Sequence, residues 1–331
     1  MPTGESAVDF LSILKTVWWR LDVALDLDII YWSAALGAAE AVLSGTTAII
    51  DHHESPNAIE GSLDAIAAGC ALVGVRTNLC YGVTDRWNDR STLLTDGEQP
   101  RSMTDGARRG LLECDRYLST GATGMVGVHA SFTCSDETIE AAADLAIRHD
   151  TGVHVHVAEG QADSRAASRL KDFASDKWLL AHCVNLDQEL SGTIVHNARS
   201  NMNNGVGYAH PASRSNLVVL GTDGIGGDMQ EESRIAYARL RESDVTQTPE
   251  TVWRWLQNAE KIFPQVANDT VTWNYDHMDS PWHTAFTTSN NPVDVTINDK
   301  TVVANSMLVT CDLVEIRSKA AEAAQRLFER L

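Results

Sequence analysis

Short runs of valine, isoleucine and leucine alternate along most of this chain with stretches whose apolar residues recur at helical spacing, and that alternation restricts its fold more than any other feature. The runs at residues 46–51, 72–80, 124–129, 152–157, 178–182, 193–196 and 217–221 read as strands. Between them lie amphipathic segments such as 135–149, where Thr138, Ile139, Ala142 and Leu145 fall on one face. Ser135 reads as its N-cap and Glu137 as an early acid matched to the helix dipole. Strands separated by helices pack as a parallel sheet, and 331 residues leave room for a (β/α) barrel of about 250 residues.

Seven runs are one short of the eight that close such a barrel. Residues 10–24 and 31–43 both carry helical patterns, so the expectation is a barrel lacking its first strand, with that strand lying before Met1. Beyond the last run, 229–242 and 249–263 read as helices, the second opened by Thr248 and Pro249, and 281–290 reads as loop. Runs 293–297 and 302–309 predict a hairpin around Asn298-Asp299-Lys300, followed by a terminal helix over 312–331. The division expected is a barrel over 1–290 and a small β appendage with a closing helix over 291–331.

Chemistry enters through the histidines. Of eleven, seven stand in or just after predicted strands: His52, His53, His129, His154, His156, His182 and His196. Asp223 follows the last run. The carboxyl ends of barrel strands converge on one mouth, where catalytic groups are built. Packing alone does not account for successive strands each ending in histidine or aspartate. In Val153-His154-Val155-His156-Val157, period-2 alternation puts both imidazoles on one face, and Glu159 follows where the chain leaves the strand. Neutral imidazole suits zinc or ferrous iron, and a nearby carboxylate that is not a ligand can move protons. Glycines after Asp223 delay the next helix, which favours a carboxylate turned into the mouth rather than a cap.

Composition excludes other classes. With 26 basic against 45 acidic residues the net charge is −19, a field that repels phosphate backbones and anionic membranes. No apolar run is long enough to span a bilayer, and residues 1–26 lack the pattern of a secretion leader. Six scattered cysteines without a C-x-x-C pair read as reduced thiols of a cytoplasmic protein.

H-x-x-E after one strand, A-H-C-V after the next, H-N-x-x-S-N-M-N-N after the third and G-T-D-G after the last resemble the amidohydrolase superfamily. Within it the chain resembles the TRZ/ATZ branch of aminohydrolases and chlorohydrolases. Asp51-His52-His53, Trp18-Trp19-Arg20-Leu21-Asp22 and Arg199-Ser200-Asn201-Met202-Asn203-Asn204 are similar to SsnA-type aminohydrolases. The resemblance implies a TIM-type barrel with part of a small β-sandwich. It also implies one divalent metal, zinc or iron, held by His156 and Asp223; catalytic zinc takes about three protein ligands, and His182 would supply the third. By the same resemblance Asp223 takes a proton from the water, Glu159 carries it to the leaving nitrogen and His182 orients the reacting groups. His196, Asn201, His129 and His53 would line the substrate side.

The expected reaction is hydrolysis of a non-peptide C–N bond, a deamination of a small aminated heterocycle by a homo-oligomer. The family's first strand carries H-x-H, both histidines binding metal, and no such pair precedes His154. Adjacent His52 and His53 face opposite ways on a strand and do not replace it. The competing reading is therefore a binding or accessory homologue that has lost two ligands, dead or dependent on a partner.

Overall fold

The computed structural model describes residues 9–88, 100–288 and 290–331. The chain opens with a capped helical segment: α1 (Phe10–Ile13), a π-helical stretch (Leu14–Trp18) and α2 (Trp19–Ala24). Helix α3 (Leu27–Leu43) begins four residues before the position expected from periodicity, because the Asp26 carboxylate caps it, accepting from the Ile29 N–H at 2.8 Å. Seven parallel strands follow: β1 (Ala48–His53), β2 (Arg76–Val83), β3 (Val126–Ala130), β4 (Val153–Val157), β5 (Leu179–His182), β6 (Thr193–His196) and β7 (Val218–Leu220). They are joined through α4 (Ser62–Val73), α5 (Asp105–Leu118), α6 (Asp136–Arg148), the short α7 (Ala166–Leu170) and α8 (Ala198–Asn203).

Spatial order follows chain order from β1 to β7, each neighbour parallel, so the sheet is a curled part of a (β/α)8 barrel. Among the described residues β1 pairs only with β2 and β7 only with β6. The Thr46 hydroxyl reaches toward the β7 side and donates to the Gly227 carbonyl at 2.6 Å. Val153, Val155 and Val157 are fully buried in the layer between sheet and helices, which leaves His154 and His156 on the inner face, as alternation predicts.

After the barrel strands come α9 (Met229–Ser243), α10 (Pro249–Gln257) and α11 (Ala259–Ile262). A four-stranded antiparallel sheet is built from β8 (Thr270–Trp273), β9 (Pro292–Ile297), β10 (Lys300–Ala304) and β11 (Met307–Leu308). Between β8 and β9 lies α12 (Pro281–Phe286), and α13 (Leu313–Arg330) packs against α3. The turn at Asn298 and Asp299 has φ of 53° and 62°, the left-handed pair that suits a tight hairpin.

Several expectations need correction. Leu72 lies in the last turn of α4 instead of starting a strand, since Gly74 closes that helix with φ 98°. Residues 281–286, expected as loop, are helical, with Ser280 capping and Pro281 at the first position. The run 302–309 is broken at Asn305 and Ser306, whose φ of 51° and 61° turn the chain between β10 and β11. Strand β8 is not announced by the sequence, because its T-V-T-W alternation is short and half-exposed.

All six cysteines are free, five of them buried. No helix among the described residues is long and apolar enough to cross a membrane. The leader reading rests partly on residues 1–8, which lie outside the described residues.

Candidate active site

Three strand ends turn sharply where the candidate groups stand. Ala158 after β4, His182 and Cys183 at the end of β5, and Asp223 after β7 all have positive φ, from 48° to 70°. Non-glycine residues avoid this region, and such backbone strain concentrates at functional sites. The turns bring Glu159, His182 and Asp223 together. One ligand atom from each lies within 4.8 Å of the other two.

His182 is the pivot. Its Nδ1 bonds Asn201 Oδ1 at 2.8 Å, while Nε2 stands 3.4 Å from Glu159 Oε2 and 3.9 Å from Asp223 Oδ2. Because an amide oxygen only accepts, Nδ1 carries the proton. Burial disfavours the charged ring, yet the Glu159 and Asp223 carboxylates outweigh it and raise the His182 pKa. Burial likewise raises Glu159, with Asp223 adding to it, against the pull of His182 and an Asn204 amide that donates to Oε1 at 3.1 Å. Asp223 is held below the ordinary carboxylate range: burial opposes this, but His182, the Ser200 hydroxyl, His156 and the Gly224 N–H together prevail. Its side chain is 29% exposed, so that shift is screened by solvent.

His156 stacks on His182 with ring centres 5.5 Å apart, and its Nδ1 donates to the His129 carbonyl at 2.7 Å, leaving Nε2 with a free lone pair. Burial depresses its pKa to about 4. His156 does not contribute to the 4.8 Å group; Glu159 does. His52, set aside on the sequence, projects into the barrel, 4.6 Å from the His156 ring and 5.0 Å from the His154 ring, over Gly82, where a Cβ would collide with it.

The expected substrate residues divide. Asn201 supports His182. His129 stands 5.4 Å from the His156 ring, with Thr133 on one nitrogen and Arg86 on the other. His53 lies on the opposite face of β1, its Nε2 2.8 Å from the Ser55 hydroxyl and its ring 6.1 Å from Tyr81. His196 is fully buried between Tyr208 and Trp255, and among the described residues neither nitrogen has a partner.

Ser200 and Asn204 are not singled out by the sequence, whereas Asn185, with Ala198, departs from the His and Pro that relatives often carry and is expected to alter the pocket. The first two sit inside the S-N-M-N-N motif, and only the packing of α8 shows that they reach Asp223 and Glu159. The Asn185 amide donates to the Glu159 carbonyl at 2.8 Å.

An α/β barrel segment with histidine and carboxylate gathered at its strand ends defines the class to which the chain is similar. Residues 5–260 match the model of the amidohydrolase family, and the chain belongs to that family. A 5'-deoxyadenosine deaminase of Methanopyrus kandleri is 30% identical over 250 residues, covering 67% of this chain and 54% of its own length. A 5-methylthioadenosine/S-adenosylhomocysteine deaminase of Desulfitobacterium hafniense is 29% identical over 248 residues, with the same two coverages, 67% and 54%. The chain thus spans about half the length of these curated relatives. A zinc-bound adenosine deaminase from Xanthomonas campestris superposes with a TM-score of 0.78 at 19% identity, over 97% of this chain and 80% of that one. An atrazine chlorohydrolase from Arthrobacter aurescens, complexed with zinc, gives 0.79 at 18% identity, over 96% and 82%. These two likenesses show the fold.

Proposed function

We propose that the chain serves a metal-dependent hydrolase that releases ammonia from a small aminated heterocycle. The observation carrying this reading is the convergence of Glu159, His182 and Asp223 from three separate strand ends. With Nδ1–H spent on Asn201, a neutral His182 aims its Nε2 lone pair at two carboxylates. The two carboxylates raise the His182 pKa, so without a metal a proton on Nε2 meets them; a bound cation would replace that proton and meet all three groups. Imidazole with carboxylate is the donor chemistry of zinc and ferrous iron, so the residues fit such an ion.

His182, Asp223 and His156 would hold it, with Glu159 beside them. When bound, such an ion lowers the pKa of water toward about 7 and polarises the substrate. Asp223, kept ionised by its hydrogen bonds, accepts a proton from the attacking water. Glu159, its pKa raised by burial, delivers a proton to the leaving nitrogen. His182, held by Asn201, orients the groups around the attacked carbon. The water's oxygen stays on that carbon and the nitrogen departs as ammonia.

The relatives' names make an adenine nucleoside the first substrate class to test. Purified protein is expected to hold about one zinc or iron ion and to release ammonia from 5'-deoxyadenosine or 5'-methylthioadenosine in a chelator-sensitive way. A protein with neither bound metal nor ammonia release from any aminated heterocycle overturns the reading and favours the non-catalytic alternative.

A further inference from the structure

Segments distant in sequence meet at one guanidinium. Arg86 follows β2, and its side chain is only 5% exposed. It donates to Glu54 beyond β1 and lies 3.7 Å from Asp22 on α2. Its guanidinium carbon sits 4.5 Å over the Trp19 ring and 5.6 Å from that of Trp87. The Trp87 indole donates to the same Glu54 oxygen at 2.7 Å. Two carboxylates already face this one cation, so the cluster is not a receptor for an anionic ligand.

The remaining contact runs toward the mouth. Arg86 Nη1 stands 3.2 Å from His129 Nε2, and guanidinium can only donate, so that nitrogen must accept. On the other side of the ring the Thr133 hydroxyl donates to the Ala130 carbonyl at 3.1 Å, leaving its oxygen to accept from His129 Nδ1 at 2.8 Å. Both ends demand the same tautomer, protonated on Nδ1. The carbonyl of His129 in turn receives the Nδ1–H of His156.

The helical segment that Arg86 grips also touches the site. Phe10 packs directly on Gly160, beside Glu159, and the Trp18 ring reaches Gly224, beside Asp223. A π-helical turn ends at Trp18, a distortion found often at functional sites.

We propose that Arg86 is a positioning residue that clamps residues 10–24 over the barrel mouth and locks His129 in its Nδ1–H tautomer, steadying the carbonyl that orients His156. The inference rests on the mouth being the active site, but its test needs neither substrate nor metal. Chymotryptic cutting at Phe10, Trp18 and Trp19 reports the clamp, and long-range ¹H–¹⁵N correlation reports the His129 tautomer. In Arg86→Met, cutting is expected to rise about tenfold or more and the single tautomer of His129 to be lost.

Should Arg86→Met fail to fold with Glu54 and Asp22 uncompensated, Arg86→Lys keeps the charge. A compact ammonium does not span Glu54 and His129 as the planar fork does, so the same two changes are expected. Asp22→Asn, which removes only the ion pair to α2 and leaves the Trp19 and His129 contacts in place, should raise cutting and leave the His129 signals alone. Unaltered His129 signals in both Arg86 variants, or unaltered cutting in both, overturns the proposal.

Discussion

His182 Nδ1 gives its proton to Asn201 Oδ1 across 2.8 Å, and that one bond decides which nitrogen faces Glu159 and Asp223. A buried imidazole that spends one N–H on a fixed acceptor presents the other nitrogen as a ligand or as a charged donor, according to what lies opposite.

Asn201→Leu removes the acceptor while keeping most of the volume. Metal affinity, measured by competition with a chelator, should fall roughly 10- to 100-fold. Asn201→Asp keeps an acceptor at the same reach and should recover most of the loss. Equal affinity in all three proteins would show that the His182 tautomer does not matter.

Glu159→Gln keeps the shape and the Asn204 contact but cannot carry a proton. Turnover, followed as ammonia release, should drop by roughly 10² to 10⁴. Thermal stability should hold or rise slightly, because burial already disfavours the Glu159 charge. A variant that turns over like the parent would remove Glu159 from the chemistry.

His196→Leu replaces two orphaned ring nitrogens in a fully buried setting with an apolar side chain. Denaturant unfolding should show a gain of about 1 kcal/mol, since an unsatisfied buried polar group costs roughly 1–3 kcal/mol. Activity should stay within about twofold. A large loss of activity in a stable variant would instead return His196 to the substrate side.

Acid should destabilise the metal-free protein between about pH 6.5 and 4. Burial depresses His53 to about 4 and His196 to about 3, below the ordinary 6.5, so their unfolded forms bind protons first as pH falls. Stability from these rings is complete above about 6.5 and is lost as pH drops toward their folded values. His154, depressed to about 3, and His156, to about 4, act the same way. Burial raises Asp51 and Asp163 to about 6, and they oppose the trend: their contribution is present below about 4 and lost as pH rises through 6. These four rings against these two carboxyls make urea midpoints climb from pH 4 to 6.5. His52 and His129, also depressed by burial, add to the climb, and Asp22, Glu159, Glu232 and His182, whose pKa values are raised, oppose it. A falling curve would show that the buried carboxyls dominate.

Gly82→Ala tests the cradle under His52. The new methyl would collide with the imidazole on the inner face of β1, and a packed barrel interior resists the shift. The expected cost is about 1–3 kcal/mol in urea unfolding. A neutral result would mean that the His52 ring moves aside freely.

The Val-His-Val-His-Val alternation made β4 and its inward imidazoles readable, because strand period alone sends the valines to the helix layer and the histidines to the interior. Ser135 was readable as a cap for the same local reason, and its hydroxyl does accept from the Thr138 N–H. Chain alternation likewise announced a parallel sheet. Strand order, parallel direction and the placing of candidate groups at carboxyl ends are consequences of short-range pattern and crossover geometry, and the sequence by itself determined them. Which side chains meet was decided only in three dimensions. Asn201 and Ser200 lie on α8, His182 on β5, Asp223 after β7, and their contacts depend on how α8 seats against those strand ends. His196 shares the strand-end position of its fellows yet faces Tyr208 and Trp255, because its β6 register directs it to the helix side. Nothing in the sequence around Arg86 announces its role; only folding places Glu54, Asp22, Trp19 and His129 around it. Periodicity is a property of neighbours in the chain, whereas hydrogen-bond partners distant in sequence exist only once the sheet has curled.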